Sequence, residues 1–490
     1  MDSSLLLLLC LSFTLVLVWH RIRSRHQALP LPPGPRGGLF TGVKSQLPKS
    51  EPWKTYAAWG TQFGGTIVCF RVYNRLTCVL TTPAAVHDLL EKRAAIYSGR
   101  PMSWMFQAIC GRAHAVFNVS SEHPRHRVYR RLLQSGLSAN VVKSYWPILE
   151  EETEVLIRGL TETPEQYEKH IRRNATAVIM KVAFGYTISG HDDPFISIAE
   201  QSSKISGWAM APGRWLVDYW PILRFIPSWF PLAHFKRQGA EWRGILNSVS
   251  EVPHNWVKSQ IACGTNVPSF TSRLLRAGMS EEEEDIVKWC AGALYAGAAD
   301  TTVSAMISFV LLIALHPSVQ QRAQAEIASA IPGSPGVVDA QRLPYLLAVL
   351  KEVLRYAPVA NLALPHQVIR DDTYAGYRIP AKSTVVANVW AILHDAELYP
   401  DPFVFDPGRF DTSAPQPDPR TYSFGFGRRT CPGIQFAEPS LLLAMASILH
   451  HFTISPASPG PVAVEFTTGI TSHVKPFAIR ITPRLGGDRW

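Results

Sequence analysis

The chain has 490 residues, is 47% hydrophobic and carries 48 Lys+Arg against 38 Asp+Glu, a formal net charge of +10. That apolar content supports a large core and excludes a chain disordered by composition. The basic residues are scattered with no long Lys/Arg run, which argues against nucleic acid and suits an acidic protein partner or anionic lipid.

In chain order, Ser3 to Trp19 is uncharged and rich in Leu and Val, and His20, Arg21, Arg23, Arg25 and His26 follow. A bilayer core needs roughly 17–25 apolar residues, so residues 1–20 are predicted to be a transmembrane anchor. The charge follows the apolar run instead of preceding it, unlike a cleavable signal peptide. Positive-inside bias then places the body in the cytosol, and the sequons at Asn118 and Asn174 should stay unglycosylated. Residues 21–36 are basic and then proline-rich, ending in Leu29-Pro30-Leu31-Pro32-Pro33-Gly34-Pro35, and read as a stiff hinge. Residues 37–490 show no internal repeat or dividing linker and form one further domain.

Within that domain, the β-branched and aromatic stretch from Gly65 to Leu80 predicts a hairpin. Helical periodicity marks Pro83–Arg93, Arg125–Leu137, Ile148–Leu160, Ile171–Phe184, Trp242–Gln260, Glu282–His316, Val319–Ala330 and Leu343–Tyr356. Strand patches follow at Tyr374–Ile379 and Thr384–Val389, so the fold class is mainly α with a minor β region. Asp285–His316 is apolar enough to be mistaken for a second span, but Asp300, Thr301 and Thr302 at its centre indicate a core helix beside a polar centre. The seven cysteines (10, 69, 78, 110, 263, 290, 431) are odd in number and irregular in spacing. They suggest neither a disulfide framework nor a zinc site, and a reducing compartment.

Three motifs carry chemistry. In Phe424-Gly425-Phe426-Gly427-Arg428-Arg429-Thr430-Cys431-Pro432-Gly433, glycines 427 and 433 allow a tight turn against a flat ligand, and Arg429 can pair with an acidic group. The Cys431 sulfur lies near the start of an apolar helix, Ile434–Leu449, which favours thiolate. Glu352 and Arg355 share a helix face, and Asp406-Pro407-Gly408-Arg409-Phe410 follows them. Gly297-Ala298-Ala299-Asp300-Thr301 occupies the middle of the long helix.

Together these motifs resemble the cytochrome P450 family, whose haem loop reads F-x-x-G-x-R-x-C-x-G and matches at all five fixed positions. The resemblance runs from the anchor and proline spacer to Thr468–Phe477. It implies the cytochrome P450 fold with an N-terminal transmembrane helix, a catalytic domain over 37–490, and haem b (iron protoporphyrin IX) with Cys431 as axial thiolate. Phe424 and Gly433 would shape the haem loop, while Arg130, Arg429, His126 and His366 would meet the propionates; His126 stands where the family has Trp. Glu352, Arg355 and Arg409 would form a structural network, in which Gly408, where the family often has Glu, loosens a turn. Thr301 would hydrogen-bond bound dioxygen and Asp300 would relay protons.

The implied activity is a monooxygenase using electrons from NADPH through a separate cytochrome P450 reductase, with cytochrome b5 as a second donor, at the endoplasmic reticulum membrane. The reductase would dock near Arg127, Arg131 and Arg428. The segment Gly469-Ile470-Thr471-Ser472-His473 is similar to filamentous-fungal members that oxidise secondary metabolites. Met102, Trp104, Met105 and Phe106, the stretch Trp208–Trp229, Ala298, Thr302, Val359–Leu364 and Ile470 should line the pocket, which suits a hydrophobic terpenoid or polyketide. Trp208, Trp215, Trp220 and Trp229 fit a membrane-dipping surface equally well. The competing readings are a reductase-independent isomerase or dehydratase and a non-enzymatic, membrane-tethered haem-binding protein.

Overall fold

The computed structural model describes residues 29–458, 460 and 464–484. The predicted anchor, residues 1–20, and the first part of the hinge lie outside the described residues. The longer helices are α1 (Pro52–Gln62), α2 (Pro124–Gly136), α3 (Trp146–Glu162), α4 (Tyr167–Phe184), α5 (Pro194–Ala209), α6 (His234–Ala262), α7 (Glu281–Leu315), α8 (Pro317–Ala330), α9 (Pro344–Tyr356) and α10 (Ile434–His451). Proline opens α1, α2, α5, α8 and α9, where its missing N–H is an orphan donor in any case and its fixed φ suits a first turn.

The long helix α7 begins at a capping box, Ser280 with Glu283, and has four glutamates in its first turn facing the positive end of the dipole. It stops at His316 because Pro317 cannot continue it. Residues from Val303 to Ala314 are buried almost without interruption, packed along α4, α6 and α10. It is a core helix, as its central Asp and Thr residues indicated.

Strands β1 (Ile67–Val72) and β2 (Arg75–Leu80) form the predicted hairpin. They join β3 (His366–Gln367) and β6 (Thr384–Ala387) in a sheet ordered β1-β2-β6-β3. The patch expected over Tyr374–Ile379 is a tighter hairpin, β4 (Asp372–Tyr374) and β5 (Tyr377–Ile379), turning on Ala375 and Gly376 at φ 49° and 79°. A last hairpin, β7 (Phe452–Pro456) with β8 (Ile479–Pro483), was not read from the sequence, nor were α1 and α5.

Two expectations are corrected. Pro83–Arg93 is not one α-helix: four α-helical residues pass into a wider π turn at His87–Lys92. The cysteines are not all free, because the β1–β2 register sets Cys69 opposite Cys78, where they form a disulfide. Their spacing carried no signal because hairpin register makes the pairing. Both sequon asparagines are used internally: Asn174 is buried and donates to Glu152 O at 2.8 Å, and Asn118 donates to Arg112 O at 2.8 Å.

The Glu352–Arg355 pair is fully buried and bidentate, at 2.7 and 2.8 Å. Arg355 also donates to Leu393 O, Pro402 O and Val404 O, tying α9 to the loop over 393–406. Arg409 completes the network at 3.5 Å from Glu352, and Asp406 N donates to Glu352 at 2.8 Å. The turn at Gly408 is not loose, since Gly408 N donates to the Asp406 carboxylate at 2.8 Å. Replacing Arg355 by Leu strands the Glu352 charge and should cost roughly 3–5 kcal/mol. It is read as an earlier urea-unfolding midpoint; a midpoint equal to the parent's contradicts the assignment.

Candidate active site

The loop before α10 folds on itself. Cys431 N donates to Phe424 O at 2.7 Å, and Thr430 N donates to Gly427 O at 3.2 Å. Gly427 has φ 50°, and a Cβ there would meet Leu90 O at 2.4 Å, so it is glycine because the π turn packs on it, not because it faces a ligand. Gly433 does serve the sulfur: its N–H lies 3.4 Å from Cys431 Sγ. Among the described cysteines, Cys431 is the one that lines the large cavity, together with Phe424 and Gly433. Its solvent-accessible side is cavity wall. Burial raises the thiol pKa despite the Gly433 N–H and the Arg130 charge, so the helix start alone does not produce a thiolate; a bound cation would.

That cavity has a volume of about 640 Å³, within the ~300–1,000 Å³ usual for cofactor and small-molecule sites. Its most unusual feature is positive charge. Arg130, Arg429, His126 and His366, all predicted from the sequence, line it together with Arg100, which no motif singled out. Arg429 donates to Ser98 O and Val119 O, Arg130 to Thr430 O, and Arg100 to Phe117 O, Leu364 O and Pro365 O. Every one of these contacts is a backbone carbonyl, and no carboxylate pairs with Arg429 among the described residues.

Desolvation and mutual repulsion show in the titration behaviour. Burial, then Arg429, lowers Arg100 to about 9; burial, then Arg130, lowers Arg429 to about 10. His126 is pushed down to about 4 by burial and then by Arg429, Arg130 and Arg100, and its Nε2 is buried without a partner among the described residues. Enclosed cations without counter-ions are unfavourable, and an orphaned imidazole nitrogen adds to that. A dianionic cofactor edge, such as the two propionates of a haem, fits this donor set. His366 fits less simply. Its Nδ1 contacts Tyr97 O at 2.7 Å and must carry the proton, leaving Nε2 an acceptor while the ring is neutral; burial, then Arg100, lowers it to about 3.

On α7, Gly297–Thr302 lines the same cavity. Thr301 Oγ1 donates to Gly297 O at 2.7 Å, the back-bond usual for a mid-helix hydroxyl. Asp300 is not free: Oδ1 lies 3.0 Å from His473 Nε2, and Ser203 Oγ donates to Oδ2 at 2.8 Å. Burial alone would raise its carboxyl, but His473, with Ser203 and Thr471, holds it below the usual range. His473 and Ser203 were not singled out from the sequence, because nothing local marks their convergence.

Phe106, Ala298, Thr302, Val359, Leu362, Leu364 and Ile470 line the cavity as expected, whereas Met102, Trp104 and Met105 do not. None of the four tryptophans lines it either. Trp208, Trp220 and Trp229 are exposed, as are Ile222, Phe225 and Leu232. The expected pocket role for that stretch holds only for Met210, Ala211, Pro212, Asp218 and Tyr219.

The model of the cytochrome P450 family matches residues 32–481. The chain belongs to the cytochrome P450 family. It is 36% identical over 467 residues to "Cytochrome P450 monooxygenase 208" of Postia placenta, covering 93% of this chain and 90% of that protein. It is 37% identical to "Cytochrome P450 monooxygenase claR" of Ampulloclitocybe clavipes, covering 93% and 86%. Tryptamine 4-monooxygenase of Psilocybe cyanescens is 34% identical, with 93% of each chain covered. This P450 is therefore a monooxygenase that takes haem with a cysteine thiolate ligand, and the non-enzymatic reading falls away.

Within this P450, Arg100 lines the cavity with Arg130 and Arg429 and is expected to add a propionate donor to those the sequence suggested. Losing one charged donor of this kind corresponds to about 1.5–3 kcal/mol, or haem release faster by on the order of tenfold to a hundredfold. Arg100→Leu should show this in haem capture by an excess of apomyoglobin. Release at the parent rate would remove Arg100 from the site.

Proposed function

We propose that this P450 inserts one oxygen atom from O2 into a hydrophobic small molecule, a fungal secondary metabolite such as a terpenoid or polyketide. Electrons come from NADPH through a membrane-bound cytochrome P450 reductase. The observation that carries the reading is a single cavity lined by both Cys431 and Gly297–Thr302, with apolar walls that include Phe106, Val116, Phe117, Leu133 and Leu362. Such walls favour an apolar ligand and exclude water from the reacting centre.

Haem, when bound, would supply dioxygen activation, and a thiolate ligand from Cys431 would favour that chemistry. The chain's own part is to hold and orient. Cys431 would supply the sulfur, steadied by the Gly433 N–H, while Arg100, Arg130, Arg429 and His126 would hold the propionates. Thr301 offers its hydroxyl to the cavity by giving up its bond to Gly297 O. Asp300, ionised at neutral pH, is the group beside it that can take and return a proton. Phe424 closes the loop beneath the sulfur through its carbonyl. Arg127, Arg131 and Arg428 offer the reductase a basic docking face.

With isotope-labelled dioxygen, reductase and NADPH, the haem-loaded protein should place label in the product of one member of a terpenoid and polyketide panel. Cys431→Ala should yield none and lack the red-shifted carbon-monoxide band of thiolate-ligated ferrous haem. Product formed without NADPH or reductase would favour the isomerase or dehydratase reading instead.

Membrane attachment at the endoplasmic reticulum rests on residues 1–20 and on a second surface. Trp208, Ile222, Phe225, Trp229 and Leu232 form an exposed apolar stretch of the kind that partitions into an interface. A form lacking residues 1–26 should keep its chemistry and still bind phosphatidylcholine vesicles weakly. Ile222→Asp with Trp229→Asp should abolish that residual binding in a flotation assay; undiminished flotation would contradict the role of this surface.

A further inference from the structure

Both carboxylate oxygens of Asp300 are committed, and the groups that hold them come from two other segments. His473 Nε2 lies 3.0 Å from Oδ1, and Ser203 Oγ of α5 donates to Oδ2 at 2.8 Å. The segment carrying His473 is itself pinned. Thr467 N donates to His473 O at 2.7 Å, and His473 N donates to Thr467 Oγ1 at 3.0 Å. Ser304 Oγ of α7 donates to Ser472 O at 2.5 Å, and Ser472 N donates to Val359 O at 2.8 Å.

Position divides these groups into two kinds. Asp300, Ser203 and Thr471 line the cavity; His473 does not, and its side chain is 19% exposed. The imidazole therefore stands behind the carboxylate, outside the cavity. Its Nδ1 is buried without a partner among the described residues, which leaves Nε2 as the ring nitrogen with a polar contact. The contact with Asp300 is thus the polar interaction that orients the ring. Conversely, a carboxylate held from two sides by donors on different elements keeps one orientation, where a lone Asp on a helix would sample several.

We infer that His473 is the positioning residue of Asp300, fixing its carboxylate at the cavity wall beside Thr301 and clasping the segment 466–474 to α7. Proton handling by Asp300 then depends on a side chain that never enters the cavity. The inference rests on the monooxygenase reading given above.

The test is a double-mutant cycle in the haem-loaded protein reconstituted with reductase, with dioxygen as the probe and no organic substrate added. The wild-type carbon-monoxide band is recorded first, and its absence would mean that the monooxygenase reading has failed. With the band present, Asp300→Asn and His473→Phe should each slow NADPH consumption on the order of tenfold and raise its solvent isotope effect, and the double variant should be no slower than either. His473→Gln, which keeps a donor, should recover most of the rate. His473→Asn, too short to reach, serves in place of Phe should that variant not fold. A second readout is independent of turnover: hydrogen exchange at 466–474 should rise in Asp300→Asn as much as in His473→Phe. Effects that multiply in the double variant, or exchange unaltered by Asp300→Asn, would overturn the inference.

Discussion

The rest of the site depends on a set of enclosed positive charges that no carboxylate pairs with among the described residues. Arg100, Arg130 and Arg429 place donors on backbone carbonyls, which neutralise no charge; Arg429 depresses Arg100, Arg130 depresses Arg429, and all three depress His126. A fold tolerates such a cluster when a ligand supplies the missing anion. The cluster is also joined to the sulfur loop, because Arg130 holds Thr430 O and Arg429 precedes Cys431 by two residues. An anionic group seated there is placed relative to Cys431 by the same hydrogen bonds that fold the loop.

The other elements keep those parts in register. Helix α7 presents Gly297–Thr302 to the cavity because its remaining faces are buried in the core. The Glu352–Arg355–Arg409 network fastens α9 to the loop over 393–406, so charge buried away from the cavity maintains the frame around it. Asp300 belongs to both roles, since it faces the cavity and ties α5 and the C-terminal segment to α7.

What the sequence made legible was local. The spacing around Cys431 specifies a loop before a helix, Glu352 and Arg355 are one turn apart, and the period of α7 with a polar centre identifies a core helix. What escaped is long-range. Cys69 and Cys78 pair through hairpin register, and Arg100 meets backbone carbonyls whose identity leaves no trace in residue type. Ser203 and His473 meet Asp300 from 97 residues before it in sequence and from the far C-terminal segment. The tryptophans between 208 and 229 suited pocket or surface equally by composition; only the fold of the end of α5 and of the chain from there to α6 leaves three of them exposed. Gly427 is likewise constrained from afar, by Leu90 more than three hundred residues earlier and not by a flat ligand.

The most direct test of this account is X-ray absorption at the iron edge of the purified haem-loaded protein. The account predicts one sulfur ligand in addition to the porphyrin nitrogens in the wild type, and its loss in Cys431→Ser. An iron coordinated by nitrogen and oxygen alone in the wild type would contradict it.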